Sequence, residues 1–374
     1  MALDDALGGP FNEPLSGSYS PQDCLFLLKS IAPPNMPVAE KERLIQTGQK
    51  HYSEMLTHEH PASATYSQLF LDLTERQKIR LAQDILNLAD HIRLTRSAPI
   101  TLVSLARAGT PIGALLQRAL TQRLKVDSRH YSLSIIRDRG IDERALAYIL
   151  HRERRPPEGV VFVDGWTAKG VITMQLKQSI GLWNRRHPEQ LSSALYVVAD
   201  LGGTAAVAAC HDDYVIPSGI LGATVSGLVS RSILNEQIGI GDFHGCVLYE
   251  HLRGVDHSTW FLDMVNAAMV ALSPQALPTL SRSRRRTETR AYLAHIQGIY
   301  GIANVNYIKP GVLEATRVML RRFPGLLLLR DLECPETVHL RLLAEEKGVP
   351  VECDPRMPFN ATALIKDLGT QWGT

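Results

Sequence analysis

Val160-Val161-Phe162-Val163-Asp164-Gly165-Trp166-Thr167-Ala168-Lys169-Gly170 brings together residue types that can hold an anion. The breaker run Pro156-Pro157-Glu158-Gly159 precedes four apolar residues. That pattern predicts a strand buried on both faces, with Asp164 at its carboxyl end. In open α/β sheets ligands gather at that end, and a loop of small residues opening a helix turns backbone N–H groups toward a phosphate. A second stretch has the same form. Ile100-Thr101-Leu102-Val103-Ser104-Leu105 is followed by Ala106-Arg107-Ala108-Gly109-Thr110-Pro111-Ile112-Gly113, so a strand again empties into a small-residue loop, here with one arginine. Arg137, Arg139 and Arg144 follow the next apolar run and could cover an anionic ligand, although charge runs of this kind are more often solvated turns. Asp200-Leu201-Gly202-Gly203-Thr204 ends a further strand and offers Asp200, Gly202 and Gly203 for substrate contact, with a helix-capping role for Asp200 as the competing account.

Those loops need a sheet to hold them in register. Strands at 100–105, 130–136, 160–163 and 194–199 alternate with helices over about 110–123, 142–151 and 170–183, which predicts a doubly wound parallel sheet. Residues 1–98 read as an N-terminal arm and helices packed on the core: helices around 23–31, 39–58 and 74–96 follow an arm laid over the surface or over a partner subunit, which leaves a homodimer open. Residues 99–273 form the main α/β domain. Gly and Ser crowd residues 217–235, the pattern of a close-packed seam. Residues 274–290 contain Ser281-Arg282-Ser283-Arg284-Arg285-Arg286-Thr287 and read as a basic linker. Residues 291–374 then form a second, smaller α/β domain.

The chain has 374 residues, 45% hydrophobic and 21% charged, with a formal net charge of +2. Length and composition fit two globular domains and exclude whole-chain disorder. No apolar run is long enough to span a bilayer, and the N-terminus Met1-Ala2-Leu3-Asp4-Asp5 is acidic where a signal peptide is basic, so a cytoplasmic protein without a membrane partner is expected. Cys24, Cys210, Cys246, Cys334 and Cys353 are far apart, without a CxxC spacing. They support neither a disulfide framework nor a zinc site, and no metal-ligating set is assigned.

The two loops, in this order and at this separation, resemble those of type I phosphoribosyltransferases. The resemblance implies that Asp164, Gly165, Trp166, Thr167, Ala168, Lys169 and Gly170 hold the ribose and 5-phosphate of phosphoribosyl pyrophosphate (PRPP). It implies that Ala106, Arg107, Ala108 and Gly109 meet the pyrophosphate, with Asp164, Arg107 and Arg137 as catalytic residues and Mg2+ bound with the PRPP. Gly165 stands where that family has a second acid, and Lys169 where it has a hydroxyl residue. The C-terminal quarter, through Lys309, Gly311-Val312-Leu313-Glu314-Ala315-Thr316, Asp331, Pro335 and Leu343-Ala344-Glu345-Glu346-Lys347-Gly348-Val349-Pro350, resembles the Pelota and kink-turn-binding ribosomal family. That resemblance implies RNA contact through Lys309, Gly311, Glu314 and Thr316.

The pairing resembles a bacterial family of tellurite-resistance and stress operons, also labelled cysteine protease StiP. The expected function is therefore transfer from PRPP to an unknown base-like or small nitrogen acceptor, with a link to RNA through the C-terminal unit. A catalytically reduced PRPP- or nucleotide-sensing RNA-binding protein is one alternative. A cysteine hydrolase using Cys24, Cys210 beside His211, or Cys246 near His244 is another.

Overall fold

In the computed structural model, which describes residues 10–32, 36–279 and 281–366, six parallel strands form one sheet. They are β1 (Leu25–Leu27), β2 (Ile100–Leu105), β3 (Ser128–Leu133), β4 (Val160–Thr167), β5 (Leu195–Asp200) and β6 (Val207–Cys210), in the order β1-β3-β2-β4-β5-β6. The helices of this unit are α1 (Val38–Gln46), α2 (Ala64–Thr95), α3 (Thr110–Arg118), α4 (Glu143–Ala147), α5 (Val171–Arg186) and α6 (Ser258–Met269). Alternate strand residues enter separate apolar cores. Val161 and Val163 share one core with Ile85 of α2, Leu115 of α3 and Phe261 of α6, whereas Val160 and Phe162 share the other with Leu146 of α4 and with Leu176 and Trp183 of α5. Both faces are thus covered, which is why the central strands read as continuous apolar runs.

From β2 the chain moves outward to β3, then returns past β2 to β4. The carboxyl ends of β2 and β4 therefore flank the point where strand order reverses, the usual place for a ligand in an open parallel sheet. β4 is longer than expected. It continues beyond Asp164, pairing Trp166 with Ala199 and Thr167 with Asp200, so Asp164 lies inside the strand.

The N-terminal segment differs from expectation as well. The helix anticipated over 23–31 is instead β1, paired with Tyr131–Leu133. Phe26 and Leu27 are both fully buried but belong to different cores, as neighbouring residues of a strand do and neighbours on one helical face do not.

The second unit has strands β7 (Ile308–Pro310), β8 (Pro324–Leu329), β9 (Val351–Cys353) and β10 (Ala361–Ile365) in the order β7-β10-β8-β9, with β10 antiparallel to both neighbours. Its helices are α7 (Arg282–Tyr300), α8 (Val312–Arg321) and α9 (Val338–Lys347). The basic run expected to be an irregular linker starts α7. Arg282 donates to the carbonyls of Ala205 and Ala206, and Arg286 to that of Gly203, so these side chains anchor the helix to the first unit.

The two units are joined by polar contacts at several places. Arg322 makes a two-pronged ion pair with Glu42, which is completely buried. Glu336 accepts from Gln77 Nε2 and from Val215 N. One apolar core runs from Ile216 and Ile220 of the first unit to Leu313 and Val318 of the second. Among the described residues, no helix is long and apolar enough to cross a membrane.

Candidate functional site

The loop after β2 packs against the end of β4. A Cβ placed on Gly165 would stand 3.4 Å from Ala108 O. Behind the second loop, Gly202 packs its backbone against Ala168, so tightly that a Cβ there would fall 1.6 Å from Ala168 O. Only glycine permits that approach. In front of the loop opens a cavity of about 1260 Å3, lined by Asp164, Trp166, Thr167, Ala168, Lys169 and Gly170 on one side and by residues of the second unit on the other.

Among the described residues, nine lysines and arginines line this cavity against four carboxylates. From the first unit come Lys41, Arg137, Lys169 and Arg231, and from the second Lys309, Arg317, Arg321, Arg322 and Lys347. The charges are crowded and poorly hydrated. Burial first, and then neighbouring cations, bring Lys169 down to about 7, Lys41 to about 8, Arg321 to about 9 and Arg231 to about 10. Burial also raises Asp164 to about 6, against the opposing pull of Arg317 and the N–H of Gly165, which donates to Asp164 Oδ1 at 2.7 Å. A cavity whose cations are held at a cost, by burial and by one another, suits an anionic guest.

Several expected residues are held in this wall by the second unit. Lys169 Nζ donates to the carbonyls of Val305 and Ile308, each at 2.9 Å. Trp166 Nε1 donates to Glu314 Oε1 at 3.2 Å, and the guanidinium of Arg317 lies 4.5 Å from the centre of the Trp166 rings. Thr167 and Thr204 share a hydroxyl hydrogen bond. Arg107 is buried, donating to Val229 O at 3.0 Å and to Glu59 Oε1 at 2.6 Å. Burial alone would raise Glu59, but Arg107 and Arg321 outweigh it and hold the carboxylate at about 2. Arg137 lines the cavity, its guanidinium paired with Asp138.

The other expected sites divide. Asp200 is fully buried and accepts from Thr204 N and Ala205 N, which makes it the cap of its own turn. Gly202 and Gly203 back onto Ala168 and Arg282, away from the cavity mouth. In the second unit, Lys309 and Glu314 line the cavity. Thr316 is buried and hydrogen-bonded to Val312 O and His339, and Gly311 lies against Leu201. Sequence reasoning missed Glu59, Arg231 and Arg321, which stand on three remote segments with no shared motif.

Among the described residues, no cysteine lines the cavity. Cys24 and Cys246 are fully buried, and burial pushes the Cys24 thiol far up and those of Cys210 and Cys246 to about 12. Cys24 directly precedes β1, and the nearby His130 of β3 is bonded to the carbonyl of the residue before it, Asp23. His130 is occupied, with Nδ1 on Asp23 O and Nε2 on Ser104 Oγ, and burial holds it at about 4. His244 is paired with Ser134, and the side chain of His211 with Asp200 O. Cys334 is partly buried and Cys353 exposed.

Residues 17–266 match the family described as tellurite-like stress resistance cysteine protease StiP. That span is more than half of the chain. The chain belongs to this family. Residues 287–367 match the PELOTA RNA binding domain, which covers the second unit. A relative from Acinetobacter baylyi, named cysteine protease StiP, is 40% identical over 368 residues, 95% of each chain. A solved structure of a hypothetical protein from Neisseria gonorrhoeae with bound ppGpp overlaps 32% of this chain and 66% of that one, at 15% identity and a TM-score of 0.21, a likeness too slight to bear on fold or ligand.

These matches confirm the stress-resistance family and the Pelota-type unit and correct the expected activity. Both the family and the 40% identical relative are named for cysteine proteolysis. That overturns the assignment as a phosphoribosyltransferase using PRPP. The cysteine-hydrolase alternative fits those names better.

Proposed function

We propose that this member of the StiP family is an RNA-binding protein whose working site is the cationic cavity where the Pelota-type unit meets the parallel sheet. The observation that carries this reading is that, among the described residues, nine lysines and arginines from both units line the cavity against four carboxylates. The match of residues 287–367 to an RNA-binding domain supports RNA as the polyanion, and Lys309 and Glu314 of the expected RNA-contacting segment lie in the cavity wall. Titration of the full chain with a labelled single-stranded RNA at several salt concentrations tests it. An RNA whose backbone engages about five or six phosphates should lose affinity with a log–log slope of about −4. Affinity independent of salt, or unchanged in Lys309→Gln/Arg317→Gln, overturns the reading.

The names of the family and of its Acinetobacter baylyi relative favour a second reading, thiol-dependent peptide hydrolysis. A nucleophilic cysteine needs a thiolate and an adjacent free base. In the conformation described above Cys24 is closed off from solvent and both nitrogens of His130 are already hydrogen-bonded, so hydrolysis through Cys24 requires a rearrangement that exposes it. Peptidase activity that survives replacement of each of the five cysteines by alanine would sink this reading. Loss in a single folded variant would name the nucleophile.

A further inference from the structure

Arg231 and Arg321 stand apart from the other cations of the cavity. Arg231 belongs to the Gly- and Ser-rich seam of the first unit, Arg321 to the last turn of α8 in the second, and both line the same cavity. Arg231 Nη2 donates to Met55 O, but its Nη1 is buried and has no hydrogen-bond partner among the described residues. Burying an N–H donor without an acceptor costs about 1–3 kcal/mol, so such a group usually has a reason to be there. The adjacent carboxylate is already committed: Glu59 takes Arg107 on Oε1 and the N–H of Ala223 on Oε2, although its charge is felt by Arg321. Tyr52 lies near Arg231, its ring centre 5.5 Å from the guanidinium, and its hydroxyl accepts from Arg137 N.

Resting on the reading of this cavity as a polyanion site, we propose that Arg231 and Arg321 form a subsite for one phosphoryl dianion, which bridges the two units. Guanidinium groups offer paired N–H donors that match phosphate oxygens, and two of them balance the two charges of a phosphate monoester. Burial and repulsion from neighbouring guanidinium groups lower both arginines, and a bound dianion would relieve that repulsion. The subsite is separate from the 166–170 loop, where Lys169 is tied to carbonyl oxygens of the second unit. The phosphoryl group has two sources to distinguish: free phosphate, or the terminal phosphate of a nucleotide.

Calorimetric titration of the full chain with inorganic phosphate and, separately, with adenosine 5′-monophosphate tests the assignment. Arg231→Gln and Arg321→Gln should each weaken binding at least about tenfold, and Arg321→Lys should recover part of it. Arg253→Gln, which removes an exposed partner of Glu250, should bind as the parent does. Tighter binding of the nucleotide than of phosphate in the parent, lost in both glutamine variants, supports a nucleotide-borne phosphate. Equal binding of the two, lost in the same variants, supports recognition of phosphate itself. No binding of either probe by the parent up to about 10 mM, or equal affinity in the parent and the folded Arg321→Gln protein, overturns the proposal. Thermal unfolding in phosphate-free buffer checks that both variants are folded, and Arg321→Gln decides the matter if Arg231→Gln is not. RNA retention measured in parallel separates the two ideas. Phosphate binding without RNA binding leaves the subsite standing and removes the RNA reading, whereas RNA binding with unchanged phosphate affinity in both variants removes the subsite alone.

Discussion

At the scale of single residues, the cavity's charge is set by groups that titrate close to neutrality. Asp164 faces Arg317 and Glu314 and is raised by burial to about 6, while Lys169 faces Lys309, Glu314 and Arg137 and is lowered by burial to about 7. As pH falls from about 8 to about 5.5, Lys169 gains its positive charge and Asp164 loses its negative one, so both changes make the cavity more cationic. Affinity for a polyanion should therefore rise over that interval, and binding isotherms at constant ionic strength check it. A flat profile would show that neither group faces the ligand. The same shift sets a stability effect with a definite sign. The folded chain holds the Asp164 proton more tightly than the unfolded chain does, so this carboxyl's penalty appears as pH rises from about 4 through about 6 and is complete above that. Asp164→Asn should be more stable than the parent by about 1–3 kcal/mol near pH 7.5, with the gain gone near pH 4, in paired denaturant melts. The thiols give a further test. Cys353 is exposed, whereas Cys24 and Cys246 are buried with their thiols raised. Alkylation at neutral pH should label Cys353 early and leave Cys24 unlabelled until unfolding. Rapid labelling of Cys24 in the folded chain would instead support the hydrolase reading.

At the scale of elements, the start of α8 decides how the units meet. Gly311 precedes it at φ +93°, and a Cβ there would come 2.5 Å from Leu201 Cδ1. Asp213 of the first unit accepts from Val312 N at 2.9 Å and from Asn360 N at 2.7 Å. One side chain thus caps α8 and holds the segment leading into β10. Asp213→Ala strands two backbone donors in a buried junction, so it should cost about 2–4 kcal/mol, read as a lower denaturation midpoint. A change below about 0.5 kcal/mol would mean that the junction opens readily to water. Much of this element order was legible from the sequence. The cap residue Asp142, the strand at 160–163 and the amphipathic run from Val312 carry strong local signals. β1 did not, because Leu25-Phe26-Leu27 is too short to show a period and becomes a strand only through pairing with β3. The polybasic start of α7 hid a helix, because Arg282 and Arg286 are satisfied by carbonyls 76 to 83 residues away, in a part of the chain that local spacing does not reach.

For the whole molecule, the loops flanking the strand-order reversal were legible in position because each is contiguous. The charge that lines the cavity was not, since Lys41, Glu59 and Arg231 stand on separate segments of the first unit and Arg321 comes from the second. That docking is extensive enough to make a thermodynamic claim. The apolar core passes without interruption between the units, and Arg322 of the second unit covers the carboxylate of Glu42, which is shut off from solvent. Units joined in this way should lose their structure together, giving one calorimetric transition whose van't Hoff and calorimetric enthalpies agree. Glu42→Ala leaves Arg322 facing a hole where its partner stood, a change that costs about 3–5 kcal/mol when one member of a buried pair is removed. In a chain of this size that should lower the midpoint of the single transition by about 3–8 °C. Two resolved transitions in the parent would show that the units fold independently. A split appearing only in Glu42→Ala would instead identify the Glu42–Arg322 pair as the contact that couples them, and with it the wall of the cavity that Arg231 and Arg321 both line.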